Sequence, residues 1–381
     1  MFAMDAFLVG GKYIKANDFN APSFLPVDFY GYINWKEIVK DYKPLKPYKH
    51  YNKLPEVLKC TIKLIDELKI EELMVDRENL KVAIIVAGKI DRERDLLTIQ
   101  TFDHPEKISP MDGFIITHNL INFLVASYLG IKYYYGLGID HVCTSGLDLL
   151  GISRRIIEEG FDLVIILTIN SLATPIRTGY HKNLQVVSKS GTIKPFDINR
   201  DGTIFADNIT IALVVGNRLA KILKKDPLAR IIGYKSISSS YHMFAMDESG
   251  YEIENVIKDL IVNIDKAEEI VIKAHATGTK MNDYVEGRVY ERIFGKKTPI
   301  TALKPEFGHT LTSSGLVETI YLLEVLKSGK IPPIKNTDTI DPNCGNIDLV
   351  LEEREFNGKY VISLSSAFGG FYSALLLEVI K

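Results

Sequence analysis

The sequence predicts an α/β fold made of two similar halves, and three observations predict it. The stretch Phe161–Ile169 (FDLVIILTI) is almost continuously apolar, the pattern of a strand covered on both faces. Before it, Ser145–Glu159 has the spacing of a buried helix and is closed by Gly160, so turn, helix and strand succeed one another as a β/α unit. The same succession returns after Arg230, where short apolar runs alternate with amphipathic helical segments and polar residues collect at the strand ends.

Residues 1–60 carry many Tyr and Lys with scattered prolines and give no periodic signal; Met4–Gly11 (MDAFLVGG) is at most the remnant of an opening strand. A β-rich run at Ile131–Tyr135 predicts the strand that enters the Ser145 helix. Thr210–Val215 reads as a further buried strand, and the polar segment Asn217–Pro227 as the changeover between halves, taken here as 1–216 and 217–381. In the second half, Glu269–Lys273 (EIVIK) and Ile300–Leu303 read as strands, separated by a helix over Asn282–Phe294. A helix over Ser313–Leu326 follows, with Leu316, Ile320 and Leu323 on one face and Gly329 as its stop. Tyr360–Leu364 and Ser373–Val379 close the chain as two strands around Gly369-Gly370.

The 381 residues are 46% hydrophobic and 25% charged, enough apolar material for a large core or for two or three domains. A net charge of −2 provides no field that calls for nucleic acid. Three cysteines make neither a disulfide framework nor a CxxC metal site, which points to a reducing compartment, the cytoplasm by default. No apolar run reaches the ~20 residues a membrane span needs, and the Met1–Gly11 run, interrupted by Asp5 and lacking a basic start, is a poor signal peptide. Lys36, Lys40, Lys43, Lys46, Lys49 and Lys53 outnumber the nearby acids; they form either a solvated face or a landing patch for an acidic partner.

Cys143 lies in GIDHVCTSG, between the β-rich run and the helix. A helix N-terminus favours thiolate over thiol, which would make this cysteine a nucleophile rather than an inert core residue. His275 in HATGT and His309 in KPEFGHT each follow a predicted strand. Either alone would be an ordinary packing or capping histidine.

Together these stretches resemble the β-ketoacyl-acyl carrier protein synthases of the chain-elongating class. Over Ser109–Val379, CTSG resembles the nucleophile elbow, and KPFD with RDG resembles PFD…RDG. HATGT with Asn282, Asp283 and Glu286 resembles HGTGT…D..E. KPEFGHT with Ser313, Ser314, Gly315 and Glu318 resembles KS..GHT..AAG..E, and AFGG resembles the closing GFGFGG loop. The resemblance implies a thiolase fold, two pseudo-repeated βαβαβαββ halves in a layered α/β arrangement. It also implies decarboxylative Claisen condensation, with Cys143 as nucleophile and His275 and His309 as donors to the enolate. The N–H groups of Cys143 and Phe368 would form the oxyanion hole, and Lys304, paired with Glu286, would orient the histidines. Asp283 and Glu318 would support them, and Phe368, flanked by Ser366 and Ala367, would gate the acyl pocket. No resident cofactor or metal is implied, because acyl carrier protein brings its own phosphopantetheine thioester. A homodimer is expected. The rival readings are a Cys-dependent acyltransferase without condensation and a scaffold subunit paired with a homologous synthase in a heterodimer.

The chain departs from the family at several points. FADNI stands where GEGAG is usual, and SAFGGFY where the closing loop is usually FGFGGTN. The family has an oxygen ligand for a monovalent cation two residues before the first histidine, where this chain has Lys273. An ammonium reaching towards Glu318 would replace the ion. These departures suggest a specialised fatty-acid or polyketide-type pathway.

Overall fold

The computed structural model describes residues 4–74, 79–90, 104, 106, 118–223, 226–262, 264 and 267–380; the start of the resembling stretch, 109–117, lies outside them. The first half contains β1 (Ala6–Lys15), α1 (Trp35–Val39), α2 (Glu56–Glu67), β2 (Val82–Ile90), α3 (His118–Leu129), β3 (Tyr135–Ile139), α4 (Ser145–Glu158), β4 (Leu163–Ser171), α5 (Pro175–Asn183) and β5 (Asn208–Gly216). The second contains β6 (Ala229–Ser238), α6 (Tyr251–Ile261), β7 (Ile270–Lys273), α7 (Lys280–Phe294), β8 (Pro299–Thr301), α8 (Ser314–Leu326), β9 (Lys330–Ile331), β10 (Asp348–Leu349), β11 (Arg354–Glu355), β12 (Tyr360–Ala367) and β13 (Phe371–Val379).

The strands pair in the order β10-β8-β7-β12-β13-β6-β1-β5-β4-β2-β3, with β9 and β11 a separate ribbon. Outward from the β1–β6 contact, the first half runs β1-β5-β4-β2-β3 and the second β6-β13-β12-β7-β8. In both, two antiparallel pairings are followed by two parallel ones. The halves are therefore repeats of one topology.

Side-chain alternation turns this ribbon of strands into layers. Val82, Ile84, Val86, Leu163 and Ile165 pack in one core with residues of α2 and α3. Their neighbours Ala83, Ile85, Ala87, Val164 and Ile166 pack in another with residues of α4 and α8. In the second half, Ile270, Ile272, Ile362 and Leu364 share a core with α6 and α7, whereas Val271 and Val361 join the central cluster. Period-2 strands buried on both sides need both sets of positions apolar. α4 and α8 thus lie between two sheet layers, each covered outside by helices. α8 is buried around most of its circumference, not only along Leu316, Ile320 and Leu323.

Three expectations are corrected. From Ala6 onward, the Met4–Gly11 stretch belongs to a full strand, β1, which joins the halves at the sheet centre; its glycines hid it, and Gly11 is there because a Cβ would lie 2.5 Å from Ile320. The strand entering the elbow is Tyr135–Ile139, not Ile131–Tyr135. Among the described residues it pairs with β2 alone; a Cβ on Gly138 would lie 2.5 Å from His118 of α3, and one on Gly136 a tight 3.2 Å from Asn122. The third concerns the partner of Lys304.

Candidate functional site

Two equivalent turns, one per half, build the site. Val142–Thr144 forms a single 3₁₀ turn leading into α4, and Leu311–Ser313 forms the matching turn leading into α8. The residues opening them, Val142 (φ 51°) and Leu311 (φ 47°), adopt the left-handed conformation that branched side chains avoid. The strained turn at Val142 places Cys143 at the start of the buried helix and on the wall of a cavity of about 350 Å³.

That cavity brings together Cys143, His275, His309, Ser366, Ala367 and Phe368 from four separate stretches of sequence. Cys143 Sγ lies 3.2 Å from His309 Nε2. The rings of His275 and His309 meet edge to face with centroids 5.5 Å apart. Burial, then the Lys304 charge, holds both imidazoles well below their ordinary pKa, so both are neutral. Burial pushes the Cys143 thiol up to about 12, against the pull of Lys304. Removal from water thus acts against the thiolate that a helix N-terminus favours. Cys60 and Cys344 are also pushed up to about 12 by burial, but neither lines the cavity.

Backbone pairing holds His309 in place. Its N–H donates to the Ile204 carbonyl (2.7 Å) and its carbonyl accepts from Ala206 N–H (3.1 Å). Its Nδ1 lies 3.1 Å from Ser314 Oγ, a hydroxyl that serves either tautomer as donor or acceptor. Phe205 stacks on the His309 ring at 5.5 Å. Ser314 stands in the SSG that resembles the AAG of the motif, and Phe205 in the departing FADNI segment.

Behind the histidines are two carboxylates with different tasks. Glu286 does not pair with Lys304. It accepts from the N–H groups of His275 (2.6 Å) and Ala276 (2.7 Å), and from Asn282 and the Tyr290 hydroxyl. It thus clamps a turn in which Ala276 has φ 42°. Lys304 instead reaches Glu318 Oε1 on α8 at 3.0 Å, and Lys273 reaches Glu318 Oε2, also at 3.0 Å. All three of these side chains are 0% exposed. Lys273 also donates to the Leu364 carbonyl. Asp283 accepts from the N–H groups of Phe196 and Gly278, tying the KPFD segment to the HATGT loop, and burial raises its carboxyl to about 7.

Phe368 caps the β12–β13 hairpin, where a Cβ on Gly370 would lie 2.0 Å from the Ser239 carbonyl oxygen. Its ring meets Phe244 edge to face, and it borders both the Cys143 cavity and a second one. Of the lysines near the N-terminus, Lys36, Lys40, Lys43, Lys49 and Lys53 are exposed, whereas Lys46 is half-buried against Tyr128 and paired with Glu71. Among the described residues, no helix is long and apolar enough to cross a membrane.

Residues 56–218 match the family description "Beta-ketoacyl synthase, N-terminal domain", and residues 228–338 match "Beta-ketoacyl synthase, C-terminal domain". The chain is 28% identical over 247 residues to the tetracenomycin polyketide synthase ketoacyl synthase alpha subunit of Streptomyces glaucescens; the match covers 62% of this chain and 58% of that protein, so it spans under two thirds of this relative. Two solved structures share the fold over essentially their whole length. One is a type II polyketide synthase acyl-carrier protein in complex with its ketosynthase bound to the hexaketide (TM-score 0.80, 20% identity, 99% of this chain and 100% of that one). The other is the ishigamide ketosynthase/chain length factor (TM-score 0.84, 19% identity, 100% of each chain).

Proposed function

The chain belongs to the beta-ketoacyl synthase family, and we propose that it condenses an acyl group held on Cys143 with a malonyl unit on acyl carrier protein. The observation that carries this reading is the convergence of one cysteine thiol and two neutral histidines on a single cavity, with Cys143 Sγ 3.2 Å from His309 Nε2. In the first half-reaction the Cys143 sulfur attacks the acyl thioester, a new C–S bond forms, and the carrier thiol leaves with a proton. In the second, the bond between the malonyl carboxylate and its α-carbon breaks and CO₂ departs. The electron pair is held as an enolate, whose oxygen takes N–H bonds from His275 and His309. The enolate carbon then attacks the Cys143 thioester carbonyl; a C–C bond forms as the C–S bond to Cys143 breaks, the Cys143 sulfur takes up a proton, and the 3-ketoacyl product leaves on the carrier.

Neutral imidazoles suit this task because they donate an N–H without first having to lose a charge. The N–H groups of Cys143 and Phe368 would serve the thioester oxyanion. The buried Lys304–Glu318–Lys273 set would fix the floor of the site. The carrier's phosphopantetheine supplies the thioester, and no resident cofactor is invoked. A homodimer is the expected assembly. Pairing with a homologous subunit is the alternative, but a chain that keeps the whole Cys-His-His set fits the catalytic member of such a pair rather than the scaffold. Purified protein given acyl- and malonyl-carrier protein should form a 3-ketoacyl-carrier product seen by mass spectrometry. Acylation of Cys143 without any ketoacyl product would favour the acyltransferase reading instead.

A further inference from the structure

A second cavity, of about 230 Å³, shares the walls Phe205 and Phe368 with the catalytic one. Val142, Leu172, Leu184 and Leu311 give it apolar sides. Three polar residues in its lining are buried: Asn170, 1% exposed, His181, 6% exposed, and Thr312, 6% exposed, whose hydroxyl donates to the Ile169 carbonyl. Asn170 Oδ1 and His181 Nδ1 have no hydrogen-bond partner among the described residues. The Asn170 amide cannot simply turn over, because its Nδ2 donates to the Ala206 carbonyl at 2.7 Å. Its free atom is therefore an acceptor. Burial, and secondarily the Arg177 charge, lowers His181 to about 4, so its ring is neutral, with one N–H and one lone pair. Asp140 and Arg177 also border the cavity, and both have partners of their own. His181 stacks on Phe205 at 3.9 Å, and Phe205 in turn stacks on His309.

Buried polar atoms without partners are unfavourable, so an apolar cavity lined by two of them suits an occupant that supplies the missing bonds. We propose that this cavity receives the body of the acyl group carried on Cys143 and selects an acyl group bearing a hydroxyl. The proposal rests on the condensing reading above. A hydroxyl both donates and accepts, so it can donate its one O–H to Asn170 Oδ1 while accepting from His181 Nδ1 in its N–H form. A ketone oxygen only accepts and leaves Asn170 unpaired; an alkyl chain leaves both unpaired. The volume falls below the ~300–1,000 Å³ usual for sites that enclose larger ligands, which restricts the occupant to a short or medium chain.

The test measures the rate of Cys143 acylation by intact mass spectrometry, using simple thioesters of one medium chain length. The chain carries a hydroxyl at successive carbons, a ketone at the same carbons, or neither. At least one hydroxyacyl thioester should load about tenfold or more faster than its saturated and keto counterparts, the discrimination expected when a site's polar groups would otherwise be left unpaired. In His181→Phe, which keeps an aromatic ring against Phe205, that ratio should fall towards one. A saturated or keto chain that loads as fast as every hydroxyacyl chain would overturn the proposal, and would show that water satisfies Asn170 and His181. If no thioester acylates Cys143 at all, the condensing reading itself fails, which is a different result.

Discussion

Lys273, Glu318 and Lys304 place two ammonium groups and one carboxylate where no side chain reaches solvent. Glu318→Gln would leave both ammonium groups uncompensated, and should cost about 3–5 kcal/mol in denaturant unfolding. Lys273→Met leaves the Lys304–Glu318 pair intact and strands chiefly the Leu364 carbonyl, so about 1–3 kcal/mol is expected; the reverse order would contradict the assigned geometry. Lys273→Asn removes the ammonium but restores an oxygen, and its melting temperature should rise on adding K⁺ or Na⁺ in place of a bulky organic cation, with no such rise in the wild type. Cys143 provides a pH test. With its thiol pushed up to about 12, its thiolate fraction should grow about tenfold per pH unit through neutrality, and its alkylation by iodoacetamide should follow without a plateau. A plateau near pH 7 would show that the helix N-terminus prevails after all, and a label on Cys60 or Cys344 would remove the nucleophile assignment.

Helices α4 and α8 cross where each begins, and a glycine from each makes the approach possible. A Cβ on Gly146 would lie 2.8 Å from the Thr312 carbonyl oxygen, and one on Gly315 would lie 2.8 Å from Leu147. Gly315→Ala should therefore cost about 1–3 kcal/mol by overpacking, and should slow Cys143 acylation, because the same contact sets the spacing of the two turns. Unchanged stability in denaturant would mean that the helices can part freely. At this scale the sequence was most legible where one physical cause dominates. A run such as FDLVIILTI, short, β-branched and bounded by Gly160, reads as a strand buried on both faces, and β4 is buried at every position. β1 and β3 escaped because tertiary packing selects their glycines, while local propensity argues against strands there. The Cys143, His275 and His309 loops were legible from motif spacing. The partner of Lys304 was not, because Glu286 and Glu318 are equally acidic in sequence. Only the fold decides that one turns to the His275 backbone and the other to the lysines.

The repeat of topology divides the site between the halves: the first presents Cys143, the proposed nucleophile, and the second the two histidines, joined across the α4–α8 contact. We propose that the boundary lies at residues 216–217, where Asn217 begins the link between the two topological repeats. Phe368 stands between two cavities on a hairpin whose neighbours are Ser366 and Ala367. Ser366 removes an aromatic contact, and Ala367 narrows the backbone angles open to the hinge. The wild type should then decarboxylate malonyl-carrier protein appreciably without an acyl primer, and Ser366→Phe with Ala367→Gly should suppress that release more than it suppresses loading of short acyl groups. Equal primer-free release from both proteins would place the control of substrate order elsewhere. The most direct test of the Cys-His-His assignment is to measure Cys143 acylation and CO₂ release from malonyl-carrier protein side by side in wild type, Cys143→Gln and His309→Ala. Cys143→Gln should still release CO₂. His309→Ala should still acylate, but release CO₂ about 10²–10³ more slowly, the loss typical of one preorganised donor. A His309→Ala protein that decarboxylates at the wild-type rate yet no longer acylates Cys143 would contradict the account.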